Sequence, residues 1–148
     1  LFNEKNIDHY VLSNYNEIKN DWYPIETKRN KKTLKGKIQR GSTIGIIVDK
    51  VKPTIDNIIP RNGATYKLTD LDKFEIFITD NYSEIDYKDG VKLKLNDTIL
   101  LTGYNIYQNK ILCDIKGHIL IGKNTFELIA TDKANNAQTI KGIFYVKK

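Results

Sequence analysis

Methionine is absent from this chain of 148 residues, and cysteine occurs once, at Cys113. A lone cysteine closes no intrachain disulfide, so a hydrophobic core must hold the fold without covalent staples. Histidine occurs twice, at His9 and His118, and neither sits in a metal-ligand spacing such as His-Glu-x-x-His. No apolar run is long enough to span a bilayer, which excludes insertion of a helix. Ser13, Ser42 and Ser83 lack the glycine frame of a nucleophile elbow. Gly41-Ser42-Thr43-Ile44-Gly45 is too short and wrongly composed for a phosphate loop. No catalytic constellation is legible, and the chain reads as a non-enzyme.

What is present is β-forming. With 40% hydrophobic residues the chain can bury a core, which excludes disorder. β-Branched and aromatic residues dominate, and turn residues recur at short intervals. Residues 54–59 predict a strand that ends at a Pro60-Arg61-Asn62-Gly63 turn, where Pro fixes φ and Gly permits positive φ. Lys73 to Thr79 alternates, with Phe74, Ile76 and Ile78 on one face. Val91 to Leu95 alternates likewise and turns at Asn96-Asp97 into residues 98–101. Tyr104 to Tyr107 and Lys110 to Ile115 pair around Gln108-Asn109, placing Cys113 in the core with Ile111 and Ile115. Gly117 to Gly122 reads as a short strand. Asn124 to Thr131 and Thr139 to Val146 complete seven to nine strands, the count of an Ig-like sandwich, which another Greek-key sandwich or a barrel would also fit.

The first 48 residues read less regularly. Residues 7–12 alternate, residues 14–21 read as a loop, and residues 22–25 as a short edge strand tolerant of Pro24. Residues 32–38 and 43–48 supply two more strands, with Lys28-Arg29-Asn30-Lys31-Lys32 as a solvated hairpin tip.

Two segments carry a family resemblance. Val48-Asp49-Lys50-Val51-Lys52-Pro53-Thr54-Ile55 resembles the entry of bacterial immunoglobulin-like (Ig-like) repeat domains of exported surface proteins. Ala130-Thr131-Asp132-Lys133-Ala134-Asn135-Asn136-Ala137 resembles the turn that joins their last two strands. Asn135 stands where that family commonly has Gly, and Asn also tolerates the left-handed conformation. Ile7-x-x-Tyr10 followed by Asp21-Trp22 resembles the second half of another such repeat. The resemblance implies an all-β, Ig-like Greek-key sandwich over residues 49–148. A partial or truncated β repeat over residues 1–48 precedes it. It implies a spacer or stalk, or an interaction module, of a surface or secreted protein. The alternative is a carbohydrate- or protein-binding adhesin module, or an accessory domain of a secreted hydrolase or protease. Leu1 in place of an initiator Met adds the expectation of a fragment or processed product.

The expected partners are adjacent Ig-like repeats of the same chain. The net charge of +6 adds a cell-wall polymer, a glycan or a host protein. Its basic residues are not gathered in one motif, and nucleic acid is not expected. Calcium is the cofactor the loops would suit. Asp80, Asp86, Asp89 and Asp132 fall in loops and Asp49 at the interdomain junction. Calcium takes about six to eight oxygens, which a linker and adjacent loops can supply. The competing reading is that these carboxylates accept backbone N–H bonds in turns. Tyrosine is the other lead, with nine residues beside the one tryptophan. Tyr82, Tyr87, Tyr104 and Tyr107 fall at loops or strand ends, where a ring could stack on a sugar or peptide. Trp22 beside Tyr23 is the candidate exposed platform. The competing reading makes Trp22 a core plug and the tyrosines edge cover.

Overall fold

The computed structural model describes residues 7–38, 41, 43–105, 107–108 and 110–148. Ser42, and Ile106 and Asn109 of the expected hairpin, lie outside the described residues. Fourteen strands account for nearly all regular structure: β1 (Tyr10–Asn16), β2 (Asp21–Pro24), β3 (Lys28–Asn30), β4 (Thr33–Lys35), β5 (Thr43–Val48), β6 (Thr54–Ile59), β7 (Thr65–Lys67), β8 (Lys73–Thr79), β9 (Val91–Leu95), β10 (Thr98–Leu100), β11 (Gly103–Asn105), β12 (Lys110–Asp114), β13 (Gly122–Thr131) and β14 (Ala137–Lys147). No described helix is long and apolar enough to cross a membrane.

From β6 onward two sheets face each other. One runs β10-β9-β13-β14-β7, the other β11-β12-β8-β6. That is the strand order of an Ig-like Greek key, with β7 added in parallel beside β14. The alternating residues of β8, β9 and β13 supply the core: Phe74, Ile76, Ile78, Leu93, Leu95, Phe126, Leu128 and Ala130 are all buried. Phe74 and Phe126 meet edge-on across the sheets, with ring centroids 5.1 Å apart. Cys113 is buried beside Ile111 and Ile115, as its alternation required.

Turn chemistry sets the register. Asn96 and Asp97 both take positive φ, the geometry of a tight β-hairpin turn, and join β9 to β10. Asn135 takes φ 62°, so the left-handed turn between β13 and β14 forms without glycine. The resulting ladder runs over ten residue pairs, from Gly122↔Val146 to Thr131↔Ala137.

Residues before Asp49 form a three-stranded sheet, order β2-β1-β5, and a separate hairpin of β3 and β4. Three local expectations are corrected, and one strand was absent from the sequence reading. Residues 117–121 are a turn and not a strand, because the Asn124 side chain pins Leu120 through its N–H and carbonyl, both at 2.8 Å. The β1 strand continues to Asn16, because Asn14, Tyr15 and Asn16 pair with Tyr23, Trp22 and Asp21. The basic hairpin turns at Lys31-Lys32, with Lys31 at φ 47°, while Lys28 to Asn30 are strand. The β7 strand, three residues against the β14 edge, carries too little pattern to be seen beforehand.

Candidate functional site: an acidic joint between two β units

Strand β5 delivers Asp49 to the boundary between the two β units. The Asp49 N–H donates to the His9 carbonyl (2.9 Å), continuing the β1–β5 ladder. Its side chain then turns the chain and grips the sandwich. Oδ1 accepts from the Val51 N–H (3.0 Å), and Oδ2 from the Ser83 N–H (3.1 Å) in the loop after β8. Asp49 is only 4% exposed.

Two further carboxylates converge there because two loops end at the same place. Asp80 closes β8, and its Oδ2 accepts from the N–H groups of Tyr82 (3.0 Å) and Glu84 (2.9 Å). Asp132 closes β13, and its Oδ1 accepts from the N–H groups of Ala134 and Asn136, both at 2.8 Å. A bridge between Ile85 and Asp132 holds the two loops side by side. One carboxylate oxygen from each of Asp49, Asp80 and Asp132 lies within 4.8 Å of the others. Asp80 Oδ1 is buried with no hydrogen-bond partner among the described residues. Burial pushes the Asp132 carboxyl above its ordinary range. The N–H donors of Asn136 and Ala134 oppose this, and the nearby charge of Asp80 adds to it.

Other side chains tie the units together. The Asn136 amide donates to Asp132 Oδ2 (2.7 Å) and to the Asp49 carbonyl (3.1 Å). The Tyr82 hydroxyl donates to Ser13 Oγ (2.7 Å) on β1. His9 Nδ1 lies 3.1 Å from the Ala134 carbonyl, which only accepts, so this nitrogen carries the proton. Within the first unit, Arg29 Nε donates to the Tyr10 carbonyl (3.0 Å). Burial lowers the pKa of the Arg29 guanidinium, and the carboxylates of Asp132 and Asp8 oppose that shift.

Asp49, Asp80 and Asp132 thus come together, and Asp86 does not join them. Asp86 Oδ1 accepts from the N–H groups of Lys88 and Asp89, each at 3.2 Å, in its own turn. Trp22 and Tyr23 do not form one platform, since consecutive strand residues point to opposite faces. Trp22 is half-buried over Gly45, tilted against Tyr15 at 5.1 Å, while Tyr23 is exposed with Lys19 Nζ 5.4 Å from its ring centre. Tyr82 belongs to the joint. Tyr87 and Tyr104 stack on each other, centroids 3.8 Å apart, and Tyr107 is almost wholly exposed. The sequence reading missed Ser13, His9, Arg29 and Asn136 as joint residues. Only Asn136 carried a signal, as part of the turn motif.

No protein-family profile and no curated protein matches the chain. Among solved structures, the chain is similar to PcoC, a methionine-rich copper resistance protein from Escherichia coli. The match has a TM-score of 0.50 and 13% identity over 66% of this chain and 100% of PcoC. It also resembles the endo-β-1,4-mannanase from Thermotoga petrophila, with a TM-score of 0.49 and 13% identity over 68% of this chain and 21% of the enzyme. The PcoC likeness supports the β-sandwich fold alone. The methionine richness in that protein's name has no counterpart in a chain without methionine.

Proposed function

We propose that this chain is a non-catalytic Ig-like module of an exported bacterial surface or secreted protein, working as a spacer with a stiff joint. The observation that carries the reading is the double engagement of Asp49. Its backbone belongs to the first β unit, while its side chain and carbonyl bond Ser83 and Asn136 of the sandwich. A flexible tether would leave those groups in water. Here the linker of residues 49–53 is fixed at its start, and Pro53 restricts φ at its end. Force or orientation imposed on one unit is therefore passed to the other.

Calcium fits the joint as a reinforcing cation. Three carboxylates within a 4.8 Å span and the orphaned Asp80 Oδ1 match the hard oxygen donors that calcium prefers. Asp49, Asp80 and Asp132 would hold it, and its charge would offset their mutual repulsion. Without a cation, backbone N–H groups and the Asn136 amide do part of that work.

Calorimetry of the intact chain tests the reading. A docked first unit melts with the sandwich in one transition. Asn136→Ala lowers the temperature of that transition or splits it, by removing two buried hydrogen bonds worth about 1 kcal/mol each. Calcium raises the wild-type transition relative to chelator, and raises it less in Asp80→Asn. Two separate wild-type transitions, the lower one indifferent to Asn136→Ala, would sink the stiff-joint proposal.

A further inference from the structure

Asn62-Gly63 is the only Asn-Gly pair in the chain. In an unfolded chain such a pair is chemically labile, because glycine has no side chain to shield its amide nitrogen from the Asn side-chain amide carbon. The fold nevertheless needs both residues. Gly63 takes φ 78°, in the left-handed region that glycine enters without steric cost. Asn62 supplies a rung that the backbone does not. The β7 strand begins only at Thr65, opposite Tyr145, so its ladder stops short of the Ile143 N–H on β14. Asn62 Oδ1 accepts that N–H (2.9 Å).

The Gly63 N–H donates to the Ile143 carbonyl (2.7 Å), and the Tyr145 N–H donates to the Ala64 carbonyl (2.8 Å). Ile143 thus holds the electrophile of the labile pair on its N–H and the nucleophile on its carbonyl. The turn is braced from its other side. There the Arg61 N–H donates to the Tyr66 hydroxyl (3.0 Å), and the Ala64 N–H to the Arg61 carbonyl (3.1 Å). Asn62 and Gly63 are both exposed, so water and base reach them. The clamp, and not burial, is what restrains the pair.

We propose that Asn62-Gly63 is a self-modification site, locked while β7 is docked on β14 and released when it undocks. In the reaction a base takes the Gly63 N–H proton, and the nitrogen attacks Asn62 Cγ. The Cγ–Nδ2 bond breaks, Nδ2 leaves as ammonia, and a cyclic imide closes. Water then opens the imide at either carbonyl, leaving an aspartyl or an isoaspartyl residue. Closing the ring pulls the Gly63 nitrogen off the Ile143 carbonyl and Asn62 Oδ1 off the Ile143 N–H. A group held in native contacts reacts through local opening, so the docked clamp blocks the first step. The two products differ in consequence. The aspartyl residue keeps an oxygen for the Ile143 N–H. The isoaspartyl residue routes the main chain through Cγ, adds a methylene before Gly63, and no longer matches both groups of Ile143. A transient undocking of β7 is thereby made permanent.

Peptide mapping by mass spectrometry tests this on the whole chain, incubated at mildly alkaline pH with and without urea. Trypsin cleaves after Arg61 and Lys67, so the peptide of residues 62–67 reports this Asn alone. Ammonia loss is expected to be about tenfold slower, or more, in the folded chain than in urea. Tyr66→Phe removes the acceptor of the Arg61 N–H and keeps the ring packed against the core. It should speed the folded-state reaction severalfold and leave the rate in urea unchanged, with circular dichroism matching wild type. Chain modified in urea and then refolded should show fast hydrogen exchange at Tyr145 in its isoaspartyl fraction, whereas Asn62→Asp should exchange like wild type. Equal rates with and without urea overturn the proposal. So does a Tyr66→Phe chain that reacts no faster than wild type, or an isoaspartyl chain whose Tyr145 amide stays fully protected. Failure here leaves the stiff joint untouched, because the joint uses none of these groups.

Discussion

Gly142 lies opposite Phe126 in the longest ladder, and a Cβ built there would fall 2.5 Å from that ring. Phe126 is itself buried and held edge-on against Phe74 in the core. Gly142→Ala is therefore expected to destabilise the sandwich by about 1–3 kcal/mol in urea titration. Another residue-scale consequence concerns Tyr87. Burial pushes its phenol up to about 12, and the stacked Tyr104 adds to the shift. A folded pKa above the ordinary value of about 10 means that stability from the neutral phenol is fully present below pH 10. That stability is lost as pH rises through 12. Phenolate absorbance should show Tyr87 titrating late in the wild type, with Tyr82 also raised by its burial, and Tyr104→Ala should bring Tyr87 back toward the others. A Tyr104→Ala profile identical to wild type would contradict the hydrogen bond and charge of Tyr104 as causes of the shift.

At the scale of elements, loops shaped by one buried side chain matter most. Asn124 is fully buried, bonds Leu120 on both backbone groups, and accepts from the Asn96 amide (2.6 Å). It thereby joins the β9–β10 turn to the turn before β13. Asn124→Ala should cost on the order of 3 kcal/mol, since it leaves several buried groups unpaired. Hydrogen exchange should quicken first at Leu120 and Thr125, whose N–H groups depend on Asn124 and Asn96. This turn also shows where sequence reading stops. The strands with clean alternation, β8, β9 and β13, were legible because period two maps directly onto burial. Residues 117–121 alternate weakly and read as a strand, but the Asn124 side chain, four residues beyond Leu120, decides the matter. In the same way, Asp49, Asp80 and Asp132 were legible as loop acids. Their convergence depends on two loops ending at one place, and on Ser13, His9 and Arg29, whose types in isolation announce nothing.

At the scale of the whole molecule, the proposed stiff joint requires that Asp49 hold the two β units at a set angle. Four contacts span it: Tyr82 to Ser13, His9 to Ala134, Asn136 to Asp49, and Asp49 to Ser83. Each is worth only about 1 kcal/mol by itself, and together they outweigh the freedom of a linker five residues long only if they form at once. Electron-spin distance measurement between labels at Glu17 and Lys116, both exposed, reads that directly. Cys113 is buried and out of reach of the label. A single narrow distance distribution, broadened by Asp49→Ala, is the expected result. A broad distribution in the wild type, unchanged by Asp49→Ala and by calcium, would contradict it.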